Sequence, residues 1–272
     1  MTFSTLMVHL DLEQSNDARL RIAGDLAEHF DAKLIGIAAC DSQPTHYAGG
    51  AVAQGFVQRE RAEIKKRLVE TEERFRSAMQ QRAREIEWRS AMERPTEYVT
   101  REARAADLII TGVNRDGLLI DPFRRLDPSE LVMRVGRPIF LVPPEAEYVK
   151  LGNPVVAWKD TREARRAVAD SLPLLQKTKE VNVIEVIEDD ANRNAAQARV
   201  DDVAAWLGRH SITAFGRVLH AVEEEQIDKL WQFSADFVVA GAYGHTRLRE
   251  WVFGGFTRSL LTRSRHCSFL TH

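Results

Sequence analysis

Residues 241–259, GAYGHTRLREWVFGGFTRS, decide how this chain is read. They follow a short apolar run, DFVVA (236–240), and lead into FTRSLLTRS (256–264), whose apolar positions repeat at helical spacing. Glycines stand at 241, 244, 254 and 255, among His245, Arg247, Arg249 and Arg258. In an open parallel sheet, ligands bind in the crevice beyond the carboxyl ends of the strands. Glycine there lets the backbone turn sharply or approach a ligand closely. The helix start that follows offers free N–H groups and a positive dipole end, which suits phosphate. Thr257 adds a hydroxyl. The glycine spacing alone is equally consistent with plain turns.

Working outward, strands and helices alternate. Strands are read at 5–11, 33–39, 86–90, 107–111 and 139–142, with helices at 16–29, 57–83, 96–105 and 128–135. Asn16 is expected to cap the first helix, and Asp127-Pro128-Ser129 to start the fourth. The long helix 57–83 carries alternating charge and reads as a solvated face. After a linker at 143–153 the pattern restarts. Strands fall at 154–158, 181–187, 214–219, 236–240 and the terminal SFLT (268–271). Helices fall at 161–175, 193–209, 222–232 and 256–264, and Pro173 is expected to end or kink the first of these. Glu223, Glu224 and Glu225 suit a helix start.

The two halves repeat. Ala106-Asp107 and an apolar run ending at Gly112 match Ala235-Asp236 and a run ending at Gly241. Ile139 and Ser268 each follow 27 residues after those glycines. Two tandem copies of one α/β unit, 1–145 and 152–272, are expected, each a parallel sheet with helices on both faces.

Composition bounds the function. Lys and Arg total 38 against 40 Asp and Glu in 272 residues, so no strongly basic nucleic-acid surface is indicated. Two distant cysteines, Cys40 and Cys267, make no disulfide framework. No apolar window reaches membrane-spanning length and no leader is apparent, so a cytoplasmic protein is expected. There is no GxxxxGK[ST], G-x-S-x-G or HExxH, and no nucleophile–base–orienter set emerges. A dedicated enzyme is therefore not expected. His266, Cys267 and His272 fit no metal signature and read together as exposed tail residues, while Cys267 by itself, standing where Pro138 precedes the last strand of the first copy, reads as a buried or partly buried thiol. His245 reads as a loop-surface histidine with a phosphate contact as the alternative.

The pattern G-x2-G-x9-G after the fourth strand of the second unit, with VVAWKDTREARRAVADSLPLL and GHTRLREWVFGGFTRSLL, resembles the universal stress protein family over the whole chain. The resemblance implies five-stranded parallel sheets sandwiched by helices, of the adenine nucleotide alpha-hydrolase-like class. It implies ATP, with Mg2+, in the second unit. Gly241, Gly244 and Gly254 would contact ribose and phosphates, and the run Gly255, Phe256 and Thr257 would complete the phosphate loop. The usual Ser or Thr after the last glycine is here Gly255. Val186 would meet the adenine through its backbone. The acid that usually ends the first strand is Lys159, with Asp160 beside it. In the first unit Asp11 keeps that acid, but Arg125 and Leu126 stand where the glycines should be, so this half is expected not to hold ATP in the family's manner. The resemblance also implies that 139–142 and 268–271 pair the halves into an intramolecular pseudo-dimer, the two sheets packed about an approximate two-fold axis. Two readings stay open: a nucleotide-binding stress-response protein, and a nucleotide-independent scaffold for protein partners. A third, an enzyme of the wider class, lacks catalytic groups.

Overall fold

A computed structural model of the chain describes residues 2–42, 51–113, 120–220, 235–243, 255–262 and 264–272. Strands β1 (Thr5–His9), β2 (Lys33–Ala39), β3 (Glu85–Ala91), β4 (Leu108–Gly112) and β5 (Ile139–Val142) alternate with helices α1 (Asp17–Phe30), α2 (Ala51–Met79), α3 (Pro95–Glu102) and α4 (Pro128–Arg134). The second half carries β6 (Val155–Trp158), α5 (Arg162–Leu175), β7 (Val181–Ile187), α6 (Arg193–Arg209), β8 (Ala214–His220), β9 (Phe237–Gly241), α7 (Gly255–Thr262) and β10 (Cys267–Thr271).

The described strands form one sheet, in the order β3-β2-β1-β4-β5-β10-β9-β6-β7-β8. Within each half all pairings are parallel, and the halves join through antiparallel β5 and β10. The expected pairing of 139–142 with 268–271 is therefore present. The expected two packed sheets are not: edge-to-edge pairing at the seam gives one continuous sheet. The inner strands are mainly apolar because helices cover both faces. One face packs α1, α2, α5 and α6, through Leu26, Phe75, Val168 and Val200. The other packs α3, α4 and α7, through Val99, Leu131 and Leu260. The outermost strands are half-exposed and charged, as an edge requires; Lys33 reaches both Glu85 and Glu87 of β3.

Three local expectations need correction. Asn16 makes no capping bond to α1; its amide bonds the backbone of Asp11, accepting from the N–H at 2.9 Å and donating to the carbonyl at 2.8 Å. Pro173 does not end α5, which runs on to Leu175. The donor Pro173 lacks would have met the carbonyl of Ala169, an exposed position where water can replace it. Helix α2 starts at Ala51 and ends at Met79, shifted N-terminally from 57–83. Asp127 does cap α4, its side chain accepting from the Ser129 N–H. The segment expected as helix 222–232, with Glu223, Glu224 and Glu225, lies outside the described residues. Among the described residues no helix is long and apolar enough to cross a membrane.

Candidate functional site

Each half has a point where the chain reverses its direction of travel across the sheet. The second half runs outward through β6, β7 and β8, then returns as β9 on the opposite flank of β6. The crevice beyond the carboxyl ends of such neighbouring strands is where ligands sit in this class of sheet. Lys159 directly follows β6 and Gly241 ends β9. In the first half the same places belong to Asp11, beyond β1, and Gly112, at the end of β4. Strand register proves the equivalence. Met7 pairs with Ile109 as Val155 pairs with Val238, and four residues further on stand Asp11 and Lys159.

In the second crevice, Lys159 and Asp160 are exposed. Asp160 pairs with Arg165 at 2.5 Å. Thr161 caps α5 through the Ala164 N–H, which fixes the turn that presents Lys159. Val186 is the penultimate residue of β7 and half-buried. Gly241 has a steric reason to be glycine: a Cβ there would lie 2.5 Å from the Ala164 nitrogen and 2.6 Å from the Glu163 carbonyl carbon. β9 therefore abuts the first turn of α5. Glu163 is buried; burial opposes its charge, but its own backbone N–H and Arg162 outweigh that and hold its pKa below the usual carboxylate value. Past β9, Tyr243 takes a left-handed conformation, φ 57°, and His272 Nδ1 lies 3.0 Å from the Ala242 carbonyl oxygen. Gly255, Phe256 and Thr257 form the first turn of α7, with Thr257 buried and Arg258 exposed. Lys159, Val186 and Gly241 are thus brought to one end of three adjacent strands. Gly244, Gly254, His245, Arg247 and Arg249 lie outside the described residues.

The first crevice is filled by the chain itself. Arg19 of α1 is buried at 6% exposure beneath Gly112, where a Cβ would stand 3.6 Å from its guanidinium. It donates to the carbonyls of His9 (3.3 Å) and Ser15 (3.0 Å). Burial lowers its pKa to about 10, partly offset by Asp11, so it stays charged at neutral pH. Asp11 accepts from the N–H groups of Glu13 and Gln14 and faces Arg125 at 3.9 Å. His9, also buried, shares a 3.3 Å contact with Thr111 and is pushed down to about 3 by burial and by Arg19. A cavity of about 180 Å³ lies nearby, but it opens between the β1–α1 loop and α2, and no residue of β4 lines it.

No protein-family model matches the chain, and no curated protein matches it. Among solved structures, a universal stress protein from Archaeoglobus fulgidus DSM 4304 superposes with a TM-score of 0.72, covering 98% of this chain and 95% of that one, at 14% identity. The chain has the universal stress protein fold in tandem. Two structures from Pseudomonas aeruginosa, strains PAO1 and UCBPP-PA14, each cover 99% of the chain and 92% and 93% of their own, with TM-scores of 0.62 and 0.63 at 14% and 13% identity.

In this universal stress fold, Cys267 opens β10, and His266 and His272 flank the strand. Cys267 is buried in β10, where desolvation raises its pKa to about 12, and only His266 beside it is exposed. The tail reading holds for His266 alone; β10 is central, pairing with β9 on one side and β5 on the other, and it buries Cys267 as the thiol reading expects. Among the described residues no group of three or more His, Cys, Asp or Glu is placed to hold a metal. Sequence reasoning missed Arg19, His9 and Glu163. The available signal was an arginine set among apolar positions in ARLRIA (18–23), at a helix face that otherwise reads as core.

Proposed function

We propose that the chain is a stress-response protein of the universal stress type, built of units 1–145 and 152–272, that binds an adenine nucleotide, ATP with Mg2+, in the second crevice alone. One observation carries the asymmetry. Arg19 fills the first crevice beneath Gly112, whereas beneath Gly241 the neighbour is the backbone of Glu163 and Ala164. Likewise Arg125, facing Asp11, has Gly254 as its counterpart by the 27-residue repeat spacing. Arg19 and Arg125 thus stand in the first crevice, where a ligand would lie. Thr257 and the backbone at the start of α7 would take the phosphates, and Val186 the base. Occupancy would alter a surface read by protein partners.

The nucleotide-independent scaffold remains a second reading because of Lys159. It puts a cation at the register position that Asp11 holds in the first half. Calorimetric titration of extensively dialysed protein with Mg-ATP separates the two, after a check for co-purified nucleotide. One site per chain supports the nucleotide reading. No binding at millimolar ATP, with none carried through purification, sinks it.

A further inference from the structure

We propose that residues 121–126 are an internal plug, latched by Arg124, which closes the carboxyl end of the first half and holds Cys40 out of reach of solvent. The segment is a self-capped turn: Asp121 accepts from the Phe123 N–H through its side chain and from the Arg124 and Arg125 N–H groups through its carbonyl. It is anchored beyond β2, at the start of α3 and beyond β1. The Phe123 carbonyl accepts from the Asp41 N–H at 2.7 Å, just beyond β2. Arg94, before α3, lies 4.5 Å over the Phe123 ring. The Asp127 N–H donates to Thr96 Oγ1 at 2.9 Å, and Leu126 is buried. Arg125 faces Asp11.

Arg124 joins the pieces. One arm reaches Glu13 of the β1–α1 loop at 2.8 Å and the other Glu60 of α2 at 2.5 Å. A two-armed guanidinium can bridge two acids on different elements; an ammonium presents a single point charge. Cys40 lies beneath, packed with Ile64 and Leu68 of α2 and Leu12 of the same loop. Burial pushes its thiol up to about 11, and the charge of Arg124 pulls it partly back. The elements Arg124 ties together are those covering the thiol. By repeat spacing, glycines, Gly254 and Gly255, stand in the sequence of the second half where the first has Arg125 and Leu126.

The test is pulse labelling of the full chain with iodoacetamide in native buffer, with peptide mass spectrometry resolving Cys40 from Cys267. Cys267, in the central strand β10, reports global opening. In Arg124→Ala, Cys40 should label about tenfold faster while Cys267 keeps its wild-type rate. Arg124→Lys, which retains the charge but not the fork, should give a smaller rise. Removing the Arg124 charge would by itself raise the thiol pKa and slow labelling, so acceleration reads opening of the plug. Unchanged Cys40 labelling in both variants would overturn the proposal, as would equal acceleration of both cysteines. If Arg124→Ala does not fold, Arg124→Lys decides alone. The outcome does not depend on whether the second half binds nucleotide.

Discussion

Phe140 and Phe269 stand opposite each other in the antiparallel ladder between β5 and β10, and each is the other's counterpart in the repeat. Their neighbours obey the same symmetry: Ile139 pairs with Leu270, and Leu141 with Ser268. A pseudo-two-fold axis therefore passes through this rung, and the two halves meet as the subunits of a dimer would, within one chain. Both rings are fully buried. Replacing either with alanine should cost about 3–5 kcal/mol. Because directly opposed residues share one contact, the double variant should depart from additivity by at least roughly 0.5 kcal/mol. Urea unfolding of the four proteins checks this; strict additivity would mean that the seam is not packed as described.

Gly241 tests whether a glycine in the ligand crevice serves the fold or the ligand. An added Cβ would strike the backbone of Glu163 and Ala164, and that backbone belongs to the capped first turn of α5. Gly241→Ala should therefore destabilise the ligand-free protein by about 1–3 kcal/mol. An unchanged melting temperature without nucleotide would show that β9 and α5 do not meet this closely.

His9 should shape the acid limb of stability. Its folded pKa, about 3, lies below its ordinary value of 6.5 because burial and Arg19 oppose the imidazolium. Between those values the unfolded chain binds the proton and the folded chain does not. Stability therefore rises with pH through this window and falls on acidification below about 6.5, by up to about 1.4 kcal/mol per pH unit. His9→Asn should be less stable at pH 7 yet lose less between pH 7 and pH 5. Parallel losses in the two proteins, measured by urea unfolding, would contradict the assignment.

Lys159 offers a gain-of-function test of the nucleotide reading. The side chain is exposed, so Lys159→Asp should leave the melting temperature unchanged. Restoring an acid at the Asp11-equivalent position should tighten ATP binding by about tenfold, the factor of one charge-assisted hydrogen bond. Weaker binding by the variant would place Lys159 against the phosphates instead.

Most of the architecture was legible because it rests on local periodicity and on spacing. The equal distance from Gly112 to Ile139 and from Gly241 to Ser268 exposed the repeat, and the apolar runs IFLV and SFLT marked the seam. What escaped depends on partners distant in sequence. Nothing local says that Asp11 will face Arg125, that Arg124 will bridge Glu13 and Glu60, or that Arg19 will lie beneath Gly112. Cys267 shows both sides: terminal position suggests exposure, its place just before the last strand suggests a buried thiol, and two neighbouring strands bury it. At the site, the sequence offers a ligand contact or a plain turn for Gly241, and the close approach of α5 is a further reason for glycine that no local pattern shows. Gly244 and Gly254, the other two glycines of the pattern, lie outside the described residues.

The most direct measurement is hydrogen–deuterium exchange of the full chain with and without saturating Mg-ATP. The asymmetric reading predicts added protection in peptides covering 155–163, 183–188, 239–243 and 255–260. Peptides covering 8–19 and 121–128 should exchange at the same rate in both conditions. Protection in the first-half peptides, or in neither half, would contradict it.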